Sequence, residues 1–400
     1  MTSLRHVVMA ASVLPHHCIG GMQTVAWDLA RALVAGGLEV TVLTAELPGR
    51  ESEFIDSGVV IRPLPKTRWR HYGPNWWRAT RKAFESGPIE RCDLLLSVSA
   101  AGFGLLPLRK RIPRVPFVMQ AHGTSMGEFV SKWRARSLKS MLTSARNLAW
   151  VAKDMAAYPR FDAIVAVGDR VAHALATSPT RWAVDPGKIH VIRNGIDTAT
   201  FHPDPDAGRR VRAELGWNPD LQVVVSASRL HRQKGLSHGL RAFAHLAAGR
   251  TDLRYLIVGD GPELAALRRE TESLRIDRYV HFAGPVGRAA MSAYLNAADV
   301  MLFTTTHVEG EPLNVLESLA VGLPAVVSRH LYGGTPPSDQ ISLATPTDPA
   351  EVATAVKSAL ARRAPRLPRL PPAYTASATV AQYVALFERL ARERATAERG

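Results

Sequence analysis

Short apolar runs alternate with amphipathic segments of helix length throughout this 400-residue chain. The apolar run at residues 6–15 is followed by residues 22–37, where apolar side chains recur at helical spacing, and then by the apolar run at 39–45. Buried parallel strands produce this alternation, because joining two parallel strands requires a crossover that is usually a helix. The pattern predicts an α/β protein built from βαβ units.

The same rhythm continues in both halves of the chain and pauses between them. Further strands are predicted at residues 59–65, 92–100, 115–123, 162–168, 188–195, 222–230, 255–261, 279–284, 299–305, 324–328 and 341–346. The pause contains Asn194 and Gly195, a turn dipeptide. Since the chain is longer than one comfortable core of roughly 150 residues, we predict two doubly wound Rossmann-like domains facing a cleft, at 1–195 and 196–372.

The end of the chain has a different character. A proline-punctuated stretch at 362–372 precedes a segment, within 373–400, that carries apolar residues at helical spacing. An amphipathic helix needs a surface to cover. We therefore predict that the C-terminal helix packs back on the N-terminal domain.

Positive charge is concentrated in the first half. The formal net charge is +15, and residues 66–160 hold 18 Lys and Arg against 5 Asp and Glu, interleaved with Trp69, Trp76, Trp77, Trp133 and Trp150. Residues 128–156 are predicted to form a helix with one basic face. Ordinary scaffold, an anionic membrane surface and an acidic acceptor remain open for this segment. We expect no nucleic-acid partner, because no nucleic-acid motif accompanies the charge.

Compartment is predicted from cysteine usage and hydropathy. Cys18 and Cys92 are too few for a disulfide framework, no apolar run reaches the roughly 18 residues of a membrane span, and the first residues lack the pattern of a signal peptide. We expect a cytoplasmic protein, with peripheral contact on the inner face of the membrane as an open alternative.

Two glutamates lie eight positions apart in the segment 309–328. Glu309 follows the strand predicted at 299–305, and Glu317 is expected about two turns into the next helix. Ligands bind outside the carboxyl ends of strands in open α/β sheets. Carboxylates accept hydrogen bonds from vicinal hydroxyls, so the pair predicts a site for a sugar or ribose. For the two glutamates alone, a solvated helix face is the alternative.

Arg229 and Lys234 leave another predicted strand five positions apart, just before Gly235. An arginine fork and a lysine ammonium at a strand end can grip phosphate oxygens, and the glycine allows a close backbone approach. These residues predict a phosphate clamp. A solvated basic loop is the alternative for this segment.

Gly259 and Gly261 form a second turn of the phosphate-binding type, between a strand and a helix. In the other interpretation, Asp260 caps the following helix and Pro262 lies in its first turn. A diphosphate clamp, a glycine turn and two hydroxyl-binding carboxylates together describe a site for a nucleotide diphosphate sugar.

The first half carries two further candidates. Gly20 and Gly21 join the first strand to the first helix, where a backbone can approach a ligand closely. His122 ends the strand at 115–123, so we expect it at a carboxyl edge. Most lone histidines are structural, but the strand-end position favours a functional one.

These elements occur in an order that resembles the retaining nucleotide-sugar glycosyltransferases of the GT-B fold, family 4. The resemblance spans nearly the whole chain and rests on Gly20–Gly21, His122, the NGID sequence at 194–197, RLHRQKG at 229–235, VGDGP at 258–262 and the E-x7-E pair Glu309 and Glu317.

The resemblance implies a role for each matching residue. Arg229 and Lys234 would bind the donor diphosphate, Glu317 the ribose, Glu309 the transferred sugar, and His122 the sugar near its reacting centre. His122, Glu309, Arg229 and Lys234 are thus the candidate catalytic residues. The candidate donor-binding residues are Gly20, Gly21, Arg229, Lys234, Gly259, Gly261, Glu309, Glu311, Leu313 and Glu317.

One departure from the family pattern affects the sugar. Relatives commonly carry a Phe-Gly pair whose backbone amides contact the sugar, whereas Glu311 and Pro312 stand there in this chain. Proline has no amide hydrogen to donate. We expect this segment to distinguish the chain from its relatives in the sugar it accepts.

The implied activity is transfer of a hexose or N-acetylhexosamine, with retention, from a nucleotide sugar, a UDP-sugar being favoured. The acceptor would be lipid-linked or a small metabolite, and no metal or cofactor is expected. A non-catalytic nucleotide-sugar-binding protein is the alternative. A two-Rossmann dehydrogenase is disfavoured, because IGGMQTV at 19–25 lacks the G-x-G-x-x-G spacing.

Overall fold

The computed structural model describes residues 4–18, 20–50, 52–69, 71–126, 149–177, 179–307, 309–331, 336, 338–362 and 366–397. The chain divides into two compact units, residues 1–195 with 376–400 and residues 196–375. Most of the basic helix predicted at 128–156 lies outside the described residues, and 149–157 are helical.

The first unit contains an eight-stranded sheet. Its strands are β1 His6–Ala10, β2 Glu39–Ala45, β3 Phe54–Asp56, β4 Val59–Leu64, β5 Leu94–Val98, β6 Phe117–Ala121, β7 Ala163–Ala166 and β8 Ile189–Val191. The strand order is β3-β4-β2-β1-β5-β6-β7-β8, and β3 pairs antiparallel with β4 whereas the other pairs are parallel.

The second unit contains a six-stranded, wholly parallel sheet. Its strands are β9 Gln222–Ala227, β10 Leu253–Val258, β11 Val280–Gly284, β12 Val300–Phe303, β13 Ala325–Ser328 and β14 Ile341–Ala344. Their order is β11-β10-β9-β12-β13-β14, which is the 3-2-1-4-5-6 order of a Rossmann sheet. The order reverses between β9 and β12, so the binding crevice of such a sheet lies at their carboxyl ends.

The α-helices with described ends cover the faces of these sheets. They are α1 Gly21–Ala35, α2 Pro74–Glu85, α3 Asp169–Ala176, α4 Pro205–Glu214, α5 Leu236–Ala247, α6 Leu264–Ser273, α7 Arg288–Asn296, α8 Leu313–Ala320, α9 Pro349–Leu360 and α10 Ala376–Ala397. Residues Ser99–Lys110 form a long 3₁₀ segment after β5.

The C-terminal helix α10 belongs to the first unit. Tyr383, Phe387 and Leu390 are buried in the same apolar cluster as residues of β1 and α1. Burying large apolar side chains stabilises the docked helix by about 1.5–3 kcal/mol each. The helix is therefore an integral part of the first unit's core.

The predicted fold class is confirmed, since each predicted strand overlaps an observed one and the pairing is that of doubly wound sheets. Strand β3 was not predicted from the sequence. That strand has three residues at the sheet edge, and its central Ile55 is 71% exposed. A strand so short and so exposed lacks the apolar run by which a buried strand is recognised.

Candidate active site

The carboxyl ends of β9 and β12 bring a predicted cation and a predicted carboxylate into contact. Lys234 Nζ lies 2.8 Å from Glu309 Oε1, and the two side chains are 18% and 17% exposed. Lys234 also lies 5.5 Å from the centroid of the Phe303 ring. The lysine predicted to bind phosphate and the glutamate predicted to bind hydroxyls thus form one ion pair at the point where the strand order reverses, a pairing that the sequence did not predict.

Backbone packing fixes the turn that carries Lys234. Thr304 Oγ1 donates to the carbonyl of Gly235 over 2.8 Å, and Thr305 Oγ1 lies 2.9 Å from the carbonyl of Gln233. Gly235 has φ of 67°, and a Cβ there would lie 1.9 Å from the Thr304 carbonyl oxygen. Only glycine fits this left-handed, crowded position.

Arg229 lies in the same turn and is exposed. Within the described part of the chain its guanidinium has no side-chain or carbonyl partner. The helix α5 begins at Leu236, directly after the turn, so its amino-terminal N–H groups add positive potential beside these cations. An anion can be accommodated here by the cations and the helix together.

Glu317 lies nearer the start of its helix than the sequence predicted. Because α8 begins at Leu313, Glu317 is about one turn into the helix, and the prediction of two turns is wrong. Its side chain is 9% exposed and its Oε1 accepts a hydrogen bond from Arg288 Nη1 over 2.7 Å. Arg288 in turn lies 4.9 Å from the centroid of the Phe201 ring. A solvated helix face is therefore the wrong interpretation of Glu317.

Gly259 and Gly261 are required by the packing of two backbone turns. A Cβ on Gly259, whose φ is 136°, would lie 2.0 Å from the Ser228 carbonyl oxygen. A Cβ on Gly261 would lie 2.3 Å from the carbonyl oxygen of Leu230. Asp260 is not a helix cap, because α6 begins only at Leu264. The two turns after β9 and β10 form one close-packed edge, and contact of these glycines with a donor stays a prediction.

The segment that departs from the family pattern leads directly into α8. Pro312 is buried and immediately precedes the helix, whose first residue is Leu313, and Glu311 is partly buried. Asn314 Nδ2 donates to the carbonyl of Ala227 over 3.0 Å, which ties the start of α8 to the end of β9. This contact holds the departing segment at the same sheet edge as Lys234.

Three residues of this sheet edge were not predicted from the sequence: Arg288, Thr305 and Asn314. Arg288 follows Gly284, the last residue of β11, and so belongs to the same carboxyl edge as the predicted residues. This position after a predicted strand could have identified Arg288 as a candidate from the sequence. The ion pair with Glu317 depends on strand order, which the linear sequence does not reveal.

In the first unit, α1 begins at Gly21, directly after the predicted glycine loop. A Cβ on Gly21 would meet nothing within 4 Å, and Gly20 has an extended φ of 177°. The space beside Gly21, at the start of α1, is therefore open, and the fold does not require glycine at this position.

His122 directly follows β6. Its Nε2 lies 3.0 Å from Gln120 Oε1, and Gln120 Nε2 donates to the Tyr383 hydroxyl over 2.8 Å. Burial lowers the pKa of His122 to about 4. The imidazole is therefore neutral at pH 7 and serves as a hydrogen-bonding group there.

The aromatic residues of the basic segment are used for packing where they are described. Trp76 is buried, and Trp77 and Trp150 make an edge-to-face contact with centroids 6.2 Å apart. Lys153 Nζ lies 4.2 Å from the centroid of the Trp150 ring. Trp69 is 40% exposed, and Trp133 lies outside the described residues.

No group of three or more His, Cys, Asp or Glu side chains in the described part of the chain is placed to hold a metal ion. Among the described helices, none has the length and apolar character needed to cross a membrane.

Family models match both halves of the chain. The model described as Glycosyltransferase Family 4 matches residues 19–200, and the model described as Glycosyl transferases group 1 matches residues 209–366.

Two curated relatives match most of the chain. D-inositol 3-phosphate glycosyltransferase of Jonesia denitrificans is 27% identical over 77% of this chain and 75% of its own length. 2-Deoxystreptamine glucosyltransferase of Streptomyces kanamyceticus is 26% identical over 87% of this chain and 92% of its own length.

Solved structures share the fold. Sucrose-phosphate synthase from Thermosynechococcus elongatus has a TM-score of 0.73 and 20% identity, covering 99% of this chain and 98% of its own. Anabaena HepE, solved with UDP and glucose, has a TM-score of 0.65 and 18% identity, covering 98% and 99%. Together with the family models and the two doubly wound sheets, these matches show that the chain is a glycosyltransferase of family 4 with the GT-B fold.

Proposed function

We propose that this glycosyltransferase transfers a hexose or N-acetylhexosamine, with retention of configuration, from a UDP-sugar to a hydroxyl of a small cyclitol-type acceptor. The observation that carries the proposed donor site is the turn at the point where the strand order reverses. There, exposed Arg229 and the Lys234–Glu309 ion pair lie beside the start of α5. The relatives named for inositol phosphate and 2-deoxystreptamine support the cyclitol acceptor, and the HepE complex supports UDP.

Each charged residue has a part in donor binding. Arg229 and Lys234 bind the negatively charged diphosphate. Lys234 stays close to Glu309 while it does so. Glu309 accepts a hydrogen bond from a sugar hydroxyl. Glu317, whose Oε1 accepts a hydrogen bond from Arg288 Nη1, also accepts from the ribose hydroxyls.

The reaction we propose is a front-face displacement. The bond between the anomeric carbon and the phosphate oxygen breaks, and the acceptor oxygen bonds to the same face of that carbon. The acceptor's proton passes to the leaving phosphate oxygen. Arg229 and Lys234 stabilise the charge that develops on the diphosphate, a role that a metal ion fulfils in other transferases.

The proposed reaction can be tested with a panel of UDP-, GDP- and ADP-sugars. Thermal stabilisation identifies the donor, and mass spectrometry of reactions with inositol phosphate or 2-deoxystreptamine, in EDTA, identifies the product. We expect a UDP-sugar to stabilise most and an α-linked product to form from an α-linked donor. Binding without transfer or hydrolysis would favour a non-catalytic nucleotide-sugar-binding protein, and a requirement for divalent metal would overturn the metal-independent step.

We further propose that the protein works in the cytoplasm, with the basic segment 66–160 in peripheral contact with anionic lipid. The 18 basic against 5 acidic side chains of that segment support this contact. In flotation assays, we expect the protein to rise with vesicles rich in anionic lipid at low salt. At high salt it should no longer rise with them. A lipid-linked acceptor becomes the better proposal if flotation is strong and cyclitols are not glycosylated.

A further inference from the structure

The first sheet also has a point at which its strand order reverses. From β1 the chain continues to β2 on one side, whereas β5 pairs with β1 on the other side, with Ala10 opposite Ser97. Ligands of doubly wound sheets bind at the carboxyl ends of the strands at such a point. The residue that follows β5 is Ser99, so it lies at the crevice that the strand order predicts for the first unit.

Elements of the predicted site lie on both sides of Ser99. On the side of β1, its Oγ lies 3.7 Å from Sδ of Met22, which belongs to the first turn of α1. On the other side, β6 pairs in parallel with β5, and His122 directly follows β6. Neighbouring strands are about 5 Å apart. Ser99 therefore lies between the start of α1 and His122.

The backbone of Ser99 has a conformation that favours glycine. Its φ is 51°, in the left-handed region, where a side chain costs conformational free energy and glycine does not. Ser97 Oγ holds this turn closed, because it donates to the Ser99 carbonyl over 2.6 Å and accepts from the Gly102 N–H over 2.8 Å. Residues held in such conformations cluster at ligand-binding sites. The conformation therefore makes Ser99 a candidate for ligand binding.

The hydroxyl of Ser99 has only a weak partner to offset that cost. In the described part of the chain, the Met22 thioether is its sole hydrogen-bond partner, and a thioether is a weak acceptor. Both residues are partly exposed, so the hydroxyl lies at the surface of the crevice. A ligand oxygen that replaced the sulfur would give this hydroxyl a stronger hydrogen bond.

We propose that Ser99 Oγ binds a hydroxyl of the acceptor and contributes to acceptor specificity. The inference rests on the proposed function, under which the second unit binds the anionic donor. The first unit offers neutral hydrogen-bonding groups at its crevice, since burial lowers the pKa of His122 to about 4. A serine hydroxyl can donate one hydrogen bond and accept two, which suits the hydroxyl groups of a polyol.

Acceptor kinetics of Ser99→Ala test this role. The assay uses the full-length protein, the nucleotide sugar that stabilises it most, and inositol phosphate or 2-deoxystreptamine, whichever the wild type glycosylates. We expect the acceptor KM to rise about threefold to tenfold, the factor for loss of one neutral hydrogen bond, with the donor KM unchanged. Ser57→Ala is the matched control, because Ser57 has the same φ of 51° and lies exposed in the turn between β3 and β4. It should leave both KM values unchanged.

Acceptor analogues that each lack one hydroxyl identify the partner of Ser99. For one analogue, Ser99→Ala should cause no further rise in KM, because the hydrogen bond is already absent. A merely structural role would raise KM by the same factor for every analogue. That second pattern would overturn the inference.

Glycine variants separate binding from folding. Ser99→Gly and Ser57→Gly each replace a serine at a φ of 51°, so we expect similar changes in the free energy of unfolding, measured by urea denaturation. Ser99→Gly should also raise the acceptor KM as Ser99→Ala does, and it serves if the alanine variant does not fold. A loss of stability confined to Ser99→Gly would mean that the hydroxyl supports the turn, and would overturn the inference.

The inference and the proposed function fail in different ways. An acceptor KM of Ser99→Ala equal to that of the wild type, or a rise in the donor KM instead, contradicts the acceptor-binding role only. A wild type that transfers sugar to no acceptor contradicts the proposed function, and the inference with it.

Discussion

The carboxyl ends of the two sheets carry different polar chemistry. In the second unit the groups are charged and paired across strands, as Lys234 with Glu309 and Arg288 with Glu317. In the first unit His122 is neutral at pH 7 and linked through an amide to a buried tyrosine. Charge suits an anionic nucleotide, and a neutral acceptor suits a hydroxyl. Under the proposed function, the charges of the second unit suit the donor's diphosphate, and the neutral imidazole of the first unit suits a hydroxyl.

Removing a charge from the second unit should have the largest effect. We expect Lys234→Ala to lower sugar transfer by at least about 100-fold, because a fixed charge partner of the leaving diphosphate is lost. Steady-state kinetics with a UDP-sugar measure it. Arg232→Ala is the matched control, since Arg232 is an exposed cation in the same turn and has no assigned role. Equal losses in both variants would contradict a specific role for Lys234.

The glycine beside the charged pair should matter for stability. Gly235→Ala places a Cβ against the Thr304 carbonyl oxygen at a positive φ, whereas Gly249→Ala has a similar φ, 73°, and open space. We expect Gly235→Ala to lower the free energy of unfolding by on the order of 2–3 kcal/mol more than Gly249→Ala. Urea denaturation measures the difference. Equal values would mean that the turn relaxes and does not fix Lys234.

The neutral histidine predicts a pH dependence of stability in the first unit. The pKa of His122 is 6.5 in the unfolded chain and about 4 in the folded protein. Between these values the unfolded state binds the extra proton, so stability falls as pH falls from 6.5 towards 4. We expect the wild type to lose on the order of 2 kcal/mol more than His122→Gln over this window. Parallel losses in urea denaturation would show that His122 titrates normally.

Weakening the second ion pair should give the smallest effect. Glu317→Gln keeps the shape and one acceptor oxygen but removes the charge, so we expect the donor KM to rise about tenfold with kcat little changed. Glu351→Gln is the control, because Glu351 is an acidic residue of the same unit that pairs with Arg329 and has no assigned role. A fall in kcat with unchanged KM would place Glu317 in the chemical step instead of ribose binding.

The sequence could predict the sheets and the residues at their edges, because buried runs and turn glycines are local features. It could not predict which of those residues touch. The Lys234–Glu309 pair depends on β9 lying beside β12, and the Gln120–Tyr383 contact depends on the docking of α10. The depth of Glu317 in α8 was misjudged because the helix begins after Pro312 and not near Glu309. Strand order and helix starts are set by tertiary packing, so partners and distances required the structure.

The most direct measurement of the central claim is a crystal structure of the protein with UDP. The diphosphate should lie within hydrogen-bonding distance of Arg229 and Lys234, and the ribose hydroxyls should reach Glu317. A diphosphate bound away from both cations, with the Lys234–Glu309 turn empty, would contradict the account.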